Sequence, residues 1–366
     1  MIVGIDASRA ALGRHTGTET YAYHLIRAIA PLAARDLRLR LYTHRSPRPA
    51  GWPDTPFVET RVIPFPRLWT HLRLSAELAR RPPDVLFVPA HVLPLYCPVP
   101  AVVTVHDLGY RYYPEAHTPF QRRYLDWTTR RHARLARRLI ADSAATRDDL
   151  LRHYRADPAR IRVVHLGVNP ALRPVADPSP VRRKYGLHND YLLYLGTLQP
   201  RKNLLRLLDA FAQVSDRFPV DLVLAGGKGW LYESIFARAR ELGLGDRVRF
   251  PGYIPEADKA ALLSGATAFV FPSLYEGFGL PVLEAMACGT PTLIANASSL
   301  PEIAGDAALR VDPLRVEAIA DGLARLLADP ALRRSLSEKG LRRVRQFSWH
   351  RAAEQTLQIL LEAAKA

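Results

Sequence analysis

Ser273-Leu-Tyr-Glu-Gly-Phe-Gly-Leu-Pro-Val-Leu-Glu-Ala-Met-Ala-Cys-Gly289 follows the apolar run Phe269–Phe271, and together they read as a strand end, a glycine turn and a short helix. Gly277 and Gly279 allow a tight turn that exposes backbone N–H groups. Pro281 suits the first helical turn and Gly289 the helix exit. A helix N-terminus at the C-terminal edge of a sheet favours an anion. Glu276 lies just before that point and Glu284 along the helix beyond it. Both carboxylates can accept hydrogen bonds from hydroxyls of a ligand whose phosphates occupy the helix end, a combination that suits a sugar nucleotide.

Working outward, short apolar runs alternate with amphipathic stretches, which predicts parallel α/β architecture. Strands are expected at Ile2–Ile5, Leu37–Tyr42, Phe57–Ile63, Val85–Val88, Val102–Val105, Leu139–Ala141 and Val163–Leu166. Helices are expected near 18–30, 70–80, 119–138 and 144–154. Val168 to Pro180, rich in Pro, Asp and Ser, reads as a linker. A second series follows, with strands at Tyr191–Leu195, Leu222–Ala225, Val248–Phe250, Ala268–Phe271, Thr292–Ile294 and Ala308–Val311. The expectation is an α/β chain of two Rossmann-like, doubly wound domains facing each other across a ligand cleft. Their boundaries are 1–170 and 171–348, with a last helix, 349–366, crossing back to the first domain.

The spacing of Glu276 and Glu284, with Glu-Gly-Phe-Gly-Leu-Pro and Glu-Ala-Met-Ala-Cys-Gly-Thr-Pro around them, resembles the E-x7-E motif of the family 4 retaining glycosyltransferases. That resemblance implies the GT-B fold, with acceptor binding in the N-terminal domain and donor binding in the C-terminal one. It implies that Glu276 binds the donor sugar near the reacting carbon and Glu284 the ribose. The backbone of Gly277, Phe278, Gly279 and Leu280 would hold the diphosphate.

Leu195-Gly-Thr-Leu-Gln-Pro-Arg-Lys-Asn203 is similar to the family's phosphate-binding segment. Gly196 can turn the chain, and Arg201 and Lys202 would sit at a helix start, two cations suited to a diphosphate and to the charge on a departing nucleoside diphosphate. Many relatives carry Arg directly after that glycine, where this chain has Thr197. Gly13-Arg-His-Thr-Gly-Thr-Glu-Thr20 resembles the family's Gly-Gly-x-Glu loop: Gly17 and Glu19 match, and Thr16 replaces the first glycine. Val102-Val-Thr-Val-His-Asp-Leu108 ends a strand with His106, which resembles the family histidine beside the donor sugar. His106 as a general base is the alternative, and Asp107 could orient it or the acceptor. Ala141-Asp-Ser143 ends another strand, as an acceptor-side segment or with Ser143 as a helix cap. Lys-Gly-Trp-Leu-Tyr232 resembles mannosyltransferase-like relatives, which leans the donor towards a GDP-sugar over a UDP-sugar.

Hydrophobic content of 48% and charge of 23% suit a globular protein, and two cysteines offer no disulfide framework. The N-terminal segment reads as a strand rather than an export signal, so the cytoplasm is the expected compartment. The net charge is +16, and residues 1–170 hold 26 Arg against 14 Asp and Glu. Arg122, Arg123, Arg130, Arg131, Arg134, Arg137 and Arg138 fall on one predicted helix. Two readings stand: a solvated face, or attraction to a phosphorylated acceptor or to anionic lipid headgroups, the latter making the protein peripheral on the inner face of a membrane. Nucleic acid is not an expected partner, since no recognition motif accompanies the charge. Asp148 and Asp149 are expected to be solvated. No Asp-x-Asp sits at a glycine-flanked strand end and no cluster has metal spacing. Transfer from a nucleotide-sugar donor to a glycan or lipid-linked acceptor is therefore expected without a metal or other cofactor, as a step of surface polysaccharide or glycolipid assembly. The rival readings are another GT-B enzyme, such as a sugar-nucleotide epimerase, and a non-catalytic sugar-nucleotide-binding protein.

Overall fold

The computed structural model of the chain describes residues 1–12, 17–47, 51–90 and 92–365. The chain divides into two compact units, Met1–Gly167 with Phe347–Ala366, and Val168–Gln346. The divisions fall at 167 and 346, against the expected 170 and 348.

The first unit holds β1 (Ile2–Asp6), β2 (Arg38–Thr43), β3 (Val58–Val62), β4 (Val85–Val88), β5 (Ala101–Val105), β6 (Arg138–Ala141) and β7 (Ile161–Val163). They form one parallel sheet in the order β3-β2-β1-β4-β5-β6-β7. The second unit holds β8 (Asp190–Leu195), β9 (Val220–Ala225), β10 (Val248–Gly252), β11 (Ala268–Phe271), β12 (Thr292–Ala295) and β13 (Ala308–Val311). Its parallel order is β10-β9-β8-β11-β12-β13. Central strands such as β4, β5, β9 and β11 are buried along their whole length, as continuous apolar runs covered on both faces must be. The edge strand β3, Val-Glu-Thr-Arg-Val, keeps its charges partly exposed, and Pro251 sits in the other unit's edge strand β10, where a lost ladder N–H is tolerated. In each sheet the order reverses beside the first strand, at β1/β4 and β8/β11, the topological switch point where such sheets bind ligands.

The last helix, Trp349–Lys365, belongs to the first unit, where it packs on the helix Gly17–Ile29 and against β4 and β5. Trp349 stacks on His24 at 5.2 Å and meets Tyr21 edge-on at 6.1 Å. A Cβ on Gly167 would lie 2.1 Å from the Trp349 backbone nitrogen, so the chain leaves and re-enters this unit at one close backbone contact.

Several local expectations change. The arginine-rich helix ends at Leu135. Arg137 donates its N–H to Ala101 to begin the pairing of β6 with β5, and Arg138 lies in β6, so five of the seven arginines share the helix. The segment 70–80 is a π-helical turn, Thr70–Leu74, running into a short α-helix, Ser75–Arg80. Asp149 is buried and accepts from the Tyr112 hydroxyl at 2.5 Å; only Asp148 is solvated, beside Arg147.

Candidate functional site

In the second unit the two strands at the switch point, β8 and β11, each deliver part of one charged cluster. β8 ends at Leu195, and Gly196 turns away so closely that a Cβ on Gly226, which follows β9, would lie 1.9 Å from the Gly196 carbonyl. The loop returns through a 3-10 turn, Pro200–Lys202, and not through the start of the following α-helix. Asn203 then takes a left-handed conformation, φ 61°, before the helix Leu204–Ser215 begins. Asn203 is the joint of the site. Its side-chain amide donates to the carbonyls of Pro272, after β11, at 3.2 Å and Pro313, after β13, at 2.7 Å. Leu274 adds a backbone bond to the Arg201 carbonyl at 3.0 Å.

That joint brings Arg201 and Lys202 onto Glu276. The Lys202 ammonium donates to Glu276 Oε1, and the Arg201 guanidinium lies 3.2 Å from Oε2 and also donates to the Tyr275 carbonyl. Ser273 Oγ donates to Oε1 at 2.5 Å. Lys202, only 7% exposed, lies over the Phe271 ring at 5.0 Å. Burial alone would raise the Glu276 carboxyl, yet Lys202, Arg201 and Ser273 together hold it down at about 2. A carboxylate with two cations beside it stays ionised in a dry site.

The turn beyond is braced from the far side of β12. Ser299 Oγ reaches the carbonyls of Glu276 at 2.9 Å and Phe278 at 2.8 Å, while Ser298 Oγ accepts from the Glu276 N–H at 3.1 Å. Gly277 and Phe278 are buried. Gly279 has φ +107°, and a Cβ there would press on Leu300 at 2.7 Å. Leu280 opens the helix Leu280–Ala287, which has no side-chain cap at its N-terminus. Glu284, on that helix, does not share the first cluster. Its Oε1 meets Lys259 Nζ at 3.1 Å, and Lys259 also meets Glu256 at 2.7 Å. Burial pushes the Glu284 carboxyl up and Lys259 opposes it. The two glutamates are therefore held by different cations from different elements.

In the first unit His106 follows β5. Its Nδ1 meets Asp142 Oδ2 at 2.7 Å and its Nε2 meets the Pro89 carbonyl at 2.8 Å. Tyr21 lies edge-on at 4.7 Å, its hydroxyl bonded to Thr104. Burial would lower the imidazole's affinity for its proton, but Asp142 first, with the Pro89 carbonyl and Asp107, outweighs that and raises it. A carbonyl can only accept, so Nε2 donates, and a carboxylate at Nδ1 favours the doubly protonated ring. Asp142, not Asp107, orients the histidine; Asp107 accepts from the Gly109 N–H. Ser143 caps the helix Ala144–Tyr154, accepting from Thr146 N–H at 3.1 Å. Gly17 begins the helix Gly17–Ile29 in open space. Gly13, Arg14, His15 and Thr16, the rest of the expected glycine loop, lie outside the described residues. Glu19 pairs with Arg9 at 3.2 Å.

Comparison with known proteins identifies the family and the fold. Residues 181–343 match the family model for glycosyl transferases group 1, and residues 15–172 that for glycosyltransferase family 4. O-antigen chain mannosyltransferase B of Escherichia coli is 36% identical over 266 residues, covering 70% of this chain and 69% of that protein. The chain belongs to glycosyltransferase family 4. A D-inositol 3-phosphate glycosyltransferase of Streptomyces bingchenggensis is 35% identical over 63% of this chain and 54% of its own length. Among solved structures, sucrose-phosphate synthase from Thermosynechococcus elongatus superposes with a TM-score of 0.78 at 25% identity, covering 99% of this chain and 98% of that one. The fold class is GT-B.

Within this family 4 transferase the sequence reading missed Asn203, Ser273, Ser298, Ser299 and Lys259 as parts of the site. The left-handed position of Asn203 has a sequence signal, an Asn directly before an amphipathic helix. The partners of the serines and of Lys259 carry none.

Proposed function

We propose that the chain moves a sugar, with retention of anomeric configuration, from a nucleoside diphosphate sugar to a hydroxyl of a glycan or lipid-linked acceptor. The observation that carries this is the ionised Glu276 clasped by Lys202 and Arg201 at the β8/β11 switch point. Lysine has three N–H donors and the guanidinium five, so both can keep Glu276 while presenting further donors to a diphosphate. As the sugar–phosphate bond breaks, charge grows on the leaving diphosphate, and cations fixed beforehand stabilise it without reorganisation. Glu276 would accept hydrogen bonds from the donor sugar, and Glu284, steadied by Lys259, from the ribose. Gly196 and the backbone from Gly277 to Leu280 would lie along the diphosphate. The two cations supply the charge that a divalent metal would otherwise bring, so the reaction is proposed to run without one.

The second unit is thus the donor unit and the first the acceptor unit. His106, with Nδ1 on Asp142 and Nε2 donating to the Pro89 carbonyl, would serve as a cationic ring rather than as a base. The similarity to an O-antigen chain mannosyltransferase supports a mannosyl donor and surface polysaccharide assembly. No helix among the described residues is long and apolar enough to cross a membrane. Peripheral attachment to an anionic inner membrane face rests on Arg122, Arg123 and exposed Phe120 on one helix, and liposome sedimentation that ignores both anionic lipid and salt would dismiss it. Screening GDP- and UDP-sugars by thermal shift, then measuring acceptor-dependent nucleoside diphosphate release, tests the main reading. Binding without turnover on any acceptor counts against it.

A further inference from the structure

A cavity of about 350 Å³ opens in the first unit beyond the C-terminal ends of β1, β2, β3 and β4. Its charge is one-sided. Arg9, Arg45 and Arg67 line it with His44 and His71, and no carboxylate is among its described lining residues. Arg9 is offset by Glu19, but Arg45 and Arg67 are exposed, and Arg45 spends its Nε on His44 at 2.8 Å. Burial and the neighbouring arginines hold both histidines below their ordinary protonation range; in both, burial is the larger cause. The wall is also built out of the ordinary. Leu68 has φ 53° with its side chain 65% exposed, and a π-helical turn, Thr70–Leu74, follows at once. Such strained or π-helical backbone concentrates at functional sites. Trp69 is pinned inside by its indole N–H on the Ile63 carbonyl at 2.8 Å. Ser8, 4% exposed, has no hydrogen-bond partner for its Oγ among the described residues.

One rim of this cavity is apolar. Phe65 and Leu68 line it and are exposed by 38% and 65%, and Leu72, next in the π-helical turn beyond the lining residues, by 50%. His71 ties them to the helix Pro119–Leu135 by a 2.9 Å bond to Tyr124. Tyr124 stands in an aromatic row, with Phe120 and Trp127 at 6.5 and 6.0 Å, exposed by 78% and 44%. A soluble surface rarely leaves such a set contiguous without a partner.

We infer that this cavity binds the phosphate of an acceptor carried on an apolar chain: Arg45 and Arg67 take the phosphate, and the Leu68–Leu72 and Phe120–Trp127 rim takes the chain. The inference rests on the transferase reading and names the class of its acceptor. Phosphate suits guanidinium groups by bidentate geometry as well as charge, and the apolar rim distinguishes a lipid phosphate from a free sugar phosphate.

The test is calorimetric titration of the full-length protein with decyl phosphate, inorganic phosphate and the neutral decyl glucoside. GDP and UDP are present together at saturation to occupy any nucleotide site. Decyl phosphate is expected to bind at least about tenfold more tightly than either other probe, a ratio worth about 1.4 kcal/mol. The exposed double variant Arg45→Gln/Arg67→Gln should lose about tenfold or more for decyl phosphate and keep its nucleoside diphosphate affinity. Leu72→Ser/Phe120→Ser should bring decyl phosphate down to the affinity of inorganic phosphate. Unchanged binding by the arginine variant, or equal binding of decyl glucoside, overturns the phosphate site. Inorganic phosphate binding as well as decyl phosphate overturns the lipid assignment. Absence of nucleotide binding in the unaltered protein would instead overturn the transferase reading, which keeps the two failures apart.

Discussion

Glu276 sits beside two cations because each of three side chains arrives from a fixed backbone position, and its chemistry depends on that company. Replacing it with Gln keeps shape and removes charge, and kcat/KM should fall by about 10²–10³, comparable to removing one charge-stabilising group. Donor release assays with and without acceptor would show it, and near-normal turnover would remove Glu276 from the site. Lys202→Met leaves a buried carboxylate with Arg201 alone, at a stability cost of about 3 kcal/mol. The double variant Lys202→Met/Glu276→Gln should recover most of that stability in urea titrations while staying inactive, because the underpaired carboxylate is gone but so is one of the two cations proposed for the diphosphate. The pH dependence has a definite sign. The carboxyl's folded-state value, about 2, lies below its ordinary 4.5. Its contribution is thus fully present above about pH 4.5 and is lost as pH falls towards 2. Glu276→Gln should flatten the acid limb of the stability curve over that window.

At the scale of elements, two backbone devices place the cluster. Asn203 ends the β8 turn in a left-handed conformation and ties it to the ends of β11 and β13. Asn203→Ala loses three side-chain hydrogen bonds, two donated by its amide and one that its Oδ1 accepts from Arg206, and gains strain, for about 2–3 kcal/mol; Asn203→Gly removes the strain and should recover only part of it. Gly279 turns at φ +107° against Leu300. Gly279→Ala should cost about 1–3 kcal/mol and raise the donor Kd, as the turn that presents the 277–280 backbone shifts. Equal thermal stabilisation of variant and parent by the donor would show that this turn is not at the diphosphate. Much of this level is legible in the chain. The alternation of apolar runs and amphipathic stretches predicts the strands, and the glycines mark the turns. The 3-10 turn holding Arg201 and Lys202 is not legible, since a Pro-Arg-Lys-Asn run before an apolar helix looks like the helix's own first turn.

Across the whole molecule, the chain crosses once at Gly167 into the second unit and returns at Phe347 to finish the first. The closing helix packs its buried Ala352, Ala353, Ile359 and Leu360 into the first unit. Gly167 has no room for a side chain against Trp349. Gly167→Ala should therefore loosen the last helix and lower amide-exchange protection of β4 and β5 while β8 to β13 keep theirs. Uniform loss in both units would show that they do not unfold separately.

Periodicity, turn residues and the Glu276–Glu284 segment determine from sequence alone a doubly wound α/β chain in two parts and the neighbourhood of its proposed donor site. These features are local: each is set by the conformational limits of a few adjacent residues. Only the tertiary structure decides which charges meet. Lys202 and Glu276 are separated by 74 residues, Lys259 and Glu284 by 25, His106 and Asp142 by 36. The first and third meetings follow from strand order, which puts β8 beside β11 and β5 beside β6, and the second from the packing of the helix Glu256–Ser264 on the helix Leu280–Ala287. The same order makes Asp149 a buried partner of Tyr112 although its neighbour Asp148 is solvated. Side-chain pairing of this kind depends on which strands become neighbours, and adjacency in space is written nowhere in a single chain's local pattern.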